Sequence, residues 1–78
     1  MYVLLESYAT HFPESELSTQ SGIHSVRRTK GDILRDLKNC IDMAKLEGYV
    51  VRHRRLDKTG AMLLNGNECL SFDIEELE

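Results

Sequence analysis

Seventy-eight residues, of which 41% are apolar and 29% charged, make one small globular domain spanning 1–78 and exclude a disordered or collagen-like chain. Two cysteines, Cys40 and Cys69, are too few for the disulfide framework of a small secreted domain and point to a reducing, cytoplasmic setting. The formal net charge is only −3 but unevenly spread: all ten Lys and Arg fall between Arg27 and Lys58, among five acids, whereas the flanks carry eight acids and no Lys or Arg.

Tyr2–Ala9 is rich in β-formers and alternates Val3, Leu5 and Ala9 against Tyr2, Leu4, Glu6 and Tyr8, which predicts a first strand with both faces largely buried. Glu6 interrupts its apolar run and no basic stretch precedes it, so neither a signal peptide nor a membrane span is expected. His11–Gly22 holds the single proline, several serines and no period, and reads as a loop. Ile23–Arg28 reads either as a second strand or as an extended lead into a helix.

That helix, Lys30–Glu47, has concordant local signals. Thr29 suits the N-cap with Asp32 three residues on, and Ile33, Leu34, Leu37, Cys40, Ile41 and Ala44 form one stripe at a 3.6 period. Asp32 and Asp36 lie near its positive end, Lys45 near its negative end, and Gly48 supplies the stop. Tyr49–Leu56 then reads as a strand. Asp57-Lys58-Thr59-Gly60 reads as a type I turn with Gly60 in the left-handed position. Ala61–Leu64, apolar on both faces, reads as a central strand. Asn65-Gly66 suits a type I′ turn leading into Asn67–Phe72, which completes a three-stranded meander. Asp73 with Glu76 is compatible with a last helical turn.

The expected fold is therefore α+β: a small antiparallel or mixed sheet of four or five strands packed on one main α-helix. Leu63 and Leu64 point to opposite sides, so a single helix leaves one sheet face for a second copy of the chain or another protein. The order of helix, three strands and short helix is similar to that of a double-stranded RNA-binding domain, and the helix-to-hairpin run to that of a winged helix. The first would need lysines where Asp73, Glu75, Glu76 and Glu78 stand, and the second would need helices within 1–28, so membership of neither follows.

The basic residues Arg27, Arg28, Lys30, Arg52, Arg54, Arg55 and Lys58 are the candidate partner-binding set. Arg52–Arg55 and Lys58 also suit an edge strand whose charges discourage pairing with other molecules. Strand alternation would place Arg52 and Arg54 on one face, with His53 and Arg55 on the other. Aromatic residues for base stacking are few, since Tyr2, Tyr8, Phe12 and Phe72 are expected in the core. Cys40 lies on the apolar stripe, as a small hydrophobe rather than a nucleophile. His11, His24, His53 and the cysteines lack metal-ligand spacing, and no catalytic motif appears, so no cofactor is expected. The sequence points to a non-enzymatic protein-interaction module of regulator or inhibitor type, with no membrane association. Its alternative is nucleic-acid binding through residues 27–30 and 52–58.

Overall fold

A computed structural model describes residues 1–10 and 18–77. Five strands and one helix follow in the order β1 (Tyr2–Thr10), β2 (Ser18–Arg27), α1 (Lys30–Leu46), β3 (Val50–Arg54), β4 (Gly60–Asn65) and β5 (Glu68–Glu76). The strands form one antiparallel sheet ordered β2-β1-β5-β4-β3, so β3, β4 and β5 are the expected meander. The helix crosses one sheet face on its way from one edge strand to the other.

The local signals of α1 act as their chemistry dictates. Thr29 has an extended backbone, and its Oγ1 accepts from the Asp32 amide at 3.2 Å. At the other end Gly48 takes φ +101°, while its amide donates to Lys45 and that of Tyr49 to Ala44, the paired bonds of a Schellman cap. Ile33, Leu37, Ile41 and Ala44 are buried against Leu4, Ala61, Leu63, Leu70, Phe72 and Ile74 of the sheet. Tyr2, Tyr8, Leu34, Cys40, Tyr49 and Val51 flank that core half-buried, and Phe12 lies outside the described residues.

Two expectations about local structure change. Of the expected loop, 11–17 lies outside the described residues, but Ser18–Gly22 belongs to β2, where Glu6–Thr10 of β1 meets its backbone hydrogen bonds despite polar side chains. Ile23–Arg27 continues the same strand. Residues 73–76 extend β5 rather than starting a helix, because β1 pairs with them as far as Tyr2 and Glu76. The Leu77 amide then donates to the Met1 carbonyl at 2.7 Å. A single isolated helical turn cannot compete with such a ready-made ladder.

The turns also differ in detail. Between β3 and β4 the left-handed residue is Lys58, at φ +63°, and not Gly60. Asp57 fixes that turn by accepting at Oδ1 from the Thr59 amide at 3.1 Å and the Thr59 hydroxyl at 2.6 Å. Gly60 is instead small because of what lies over it: a Cβ there would meet Asp73 Oδ1 at 2.9 Å and Arg55 Nε at 3.2 Å. Between β4 and β5 the loop residues are Gly66 and Asn67, and only Gly66 has positive φ, the sign pattern of a type II′ turn.

Candidate functional site

Register assigns the two faces of the sheet. Leu4, Glu6 and Tyr8 stand opposite Ile74, Phe72 and Leu70, and Ala61 and Leu63 opposite Phe72 and Leu70, all on the helix side. The other side carries Val3, Leu5 and Ala9, then Val26 and Ile23 of β2, Cys69 of β5, Met62 and Leu64 of β4, and Val50 of β3. Among the described residues no element covers this face. Leu63 has no exposure while Leu64 retains 36%, as their opposite directions require. Towards the two edges Ile23 is 67% exposed, Val26 45% and Val50 68%, whereas Val3 is buried yet stands outside the helix-side cluster. Register divides these side chains into two clusters, Ile23, Val26, Val3 and Leu5 at one corner and Ala9, Cys69, Leu64 and Val50 at the other, with Ser7 and Ser71 between them and Asp73 and Glu75 beside the first.

The seven basic residues do not act as one set. Arg27, at the end of β2, reaches α1, where its Nε lies 2.8 Å from Asp36 Oδ2; Ser25 donates to the same oxygen at 2.9 Å. The Arg27 guanidinium beside Asp36 holds that carboxyl below its usual range. Arg55 pairs with Asp73 at 2.6 Å across Gly60 on the open face. Arg28 is exposed in the β2–α1 connection, and Lys30 is exposed as the first residue of α1.

The expected sharing of a face by Arg52 and Arg54 does not hold. Register shifts between Val51 and His53, so Arg52 is the extra residue of a bulge, and Val51 rather than Arg52 shares the helix side with Arg54. Arg54 and Lys58 there meet three cations that the sequence reading left out: Arg35, Lys38 and Lys45 on the outer face of α1. Together they line a groove of about 590 Å³ between α1 and β3. Spacings of three and seven between the helical cations were a readable sign that they share a face.

A second, open depression of about 400 Å³ brings Cys40, His24, Glu6 and Asp36 together. His24 enters it because it is the extra residue of the β2 bulge, and its Nε2 lies 3.4 Å from Cys40 Sγ. A thiol beside an imidazole invites comparison with a nucleophilic pair. Burial, then the charges of Glu6 and Asp36, push the Cys40 thiol up, so it stays protonated where a nucleophile needs a thiolate. Asp36 is already engaged by Arg27 and Ser25. Cys40 is half-buried against the core rather than fully enclosed. Among the described residues, no group of three or more His, Cys, Asp or Glu is placed to hold a metal ion.

Among the described residues no helix is long and apolar enough to cross a membrane. No protein-family model matches this chain, and no curated protein or solved structure matches it significantly.

Proposed function

We propose that this chain is a non-enzymatic protein-interaction module, of regulator or inhibitor type, that docks through the open face of its sheet. The observation that carries this reading is the pair of exposed apolar clusters on that face, Ile23 and Val26 towards one edge and Leu64 and Val50 towards the other. Each aliphatic side chain moved from water into a partner contributes about 1.5–3 kcal/mol, and the two clusters give a protein surface several anchors for a stable contact. Of the charges on this face, Arg55 and Asp73 pair with each other, while Glu75 stands exposed opposite Val3. A second copy of this chain suits the apolar clusters as a partner, two such faces stacking about 10 Å apart as sheets do in a sandwich. Cys40 and Cys69, both free thiols, suit a reducing compartment such as the cytoplasm.

The test replaces Ile23 and Val50, both largely exposed, so that the core is untouched. Sedimentation equilibrium is expected to show a dimer for the natural chain and a monomer for Ile23→Glu/Val50→Glu, with unchanged circular dichroism. A natural chain that remains monomeric at about 100 µM, where interfaces of about 1,600 Å² are well populated, excludes the second copy. Equal capture of cross-linked cellular proteins by both forms would in addition remove this face from the reading.

A further inference from the structure

We propose that the groove between α1 and β3 is a separate binding site, one that takes the phosphodiester backbone of a nucleic-acid duplex. This does not rest on the sheet-face reading, because the groove lies on the helix side of the sheet.

One wall of the groove is the outer face of α1, where Arg35, Lys38 and Lys45 follow one another; Arg54 and Lys58 stand on the other wall. All five cations are exposed. The one carboxylate in the lining, Asp42, is occupied by Lys38, whose Nζ donates to its Oδ2 at 3.1 Å. Among the described residues Arg35, Lys45, Arg54 and Lys58 have no ion-pair partner. Four uncompensated cations facing one another repel, and an anionic ligand relieves that repulsion.

The spacing and the lining select the ligand. From Arg35 to Lys45 the helix rises about 15 Å, the length over which one strand of a duplex presents about four phosphates. Two arginines supply forked donors that match phosphate oxygens. The lining contains no aromatic residue, so unstacked bases find no platform, which favours a duplex over a single strand. An acidic protein partner would call for aromatic anchors of the kind that dominate protein interfaces, and the lining has none. Contact through the backbone alone predicts binding without regard to base sequence.

Fluorescence anisotropy with a labelled DNA duplex of about 20 base pairs tests the site. Binding is expected at about 50 mM salt and is expected to weaken on the order of fiftyfold by about 150 mM, as release of counterions from four phosphates requires. Arg35→Glu/Arg54→Glu should weaken it at least tenfold. Arg28→Glu/Arg52→Glu, which changes net charge equally outside the groove lining, should stay within about threefold. The neutral variant Arg35→Gln/Arg54→Gln, with circular dichroism to show an intact fold, should lower the salt slope by about 2. Absence of binding at low salt, equal loss in the two charge-reversed variants, or a slope unchanged in the neutral one would overturn the proposal. So would a scrambled duplex bound tenfold differently, or poly-glutamate displacing the duplex at equal charge concentration.

Discussion

The Tyr49 hydroxyl donates to Glu68 Oε2 at 2.9 Å beside the half-buried Tyr8, and its pKa is pushed up to about 12. Burial is the first cause, and the bond to Glu68 and the charge of Glu68 follow. Because folding raises this pKa, the protonated phenol contributes stability that is intact below about pH 10, the unfolded value, and fades as pH climbs towards 12. Tyrosinate absorbance should show Tyr49 ionising late and Tyr8, which burial and the same Glu68 also push up, late as well, and Glu68→Gln should move both midpoints down; unmoved midpoints would assign the shifts to burial alone. A second residue-scale case is Gly60, beneath the Arg55–Asp73 pair. Gly60→Ala should cost about 1–2 kcal/mol by thermal melting, and less in an Arg55→Ala background, where one of the three close contacts is gone and those with Asp73 and the Phe72 carbonyl remain. Neither relation was legible in the sequence, since each joins residues far apart in the chain that meet only through strand register. Cys40 was legible as a stripe residue, but its neighbour His24 was not, because only the bulge turns that imidazole towards the helix.

Among the elements, α1 was read almost whole because its instructions are local. Thr29, the stripe at Ile33, Leu37, Ile41 and Ala44, and Gly48 all act within a few residues of themselves. Thr29→Ala should therefore lower stability by about 1 kcal/mol, and Gly48→Ala by at least as much, because φ +101° strains any side chain and the added Cβ would sit 3.3 Å from Asn65 Nδ2. Chemical denaturation would measure both, and a neutral Gly48→Ala would show that the cap relaxes to another turn. Strands are less legible because their hydrogen bonds lie with distant partners. Ser18–Gly22 looks like a loop by composition and pairs nonetheless, and residues 73–76 look like a helix start and follow β1 instead. The face assignment of Arg52 fails for a related reason: a bulge adds one residue, and period-two reasoning then gives the wrong side beyond it.

On the scale of the molecule, the radius of gyration of 13.0 Å exceeds the roughly 11.5 Å usual for a chain of this length, in keeping with extents of 43 × 23 × 20 Å. An elongated small domain keeps much of its surface in water, and here that surface divides into an apolar sheet face and a cationic groove on the opposite side. The sequence showed that one face would lack a helix, from Leu63 and Leu64 alone, but it did not show that the cations of α1 and β3 converge. The two surfaces should respond differently to salt. Between about 50 and 500 mM sodium chloride, sedimentation should show self-association holding steady while duplex binding vanishes. Loss of both together would mean that the sheet-face contact is itself ionic.

The single crossover ties the outermost strands to each other: β2 leads into α1, and α1 into β3, at opposite margins of the sheet. Margins ordinarily fray one by one, yet here releasing either frees an end of the helix that also restrains the other. Backbone amide protons of β2, α1 and β3 should therefore exchange with deuterium in a shared opening event with one denaturant dependence, while those between β1 and β5 outlast them. Two separate openings, one for each margin, would show that the helix grips the central strands more firmly than it couples the outer pair.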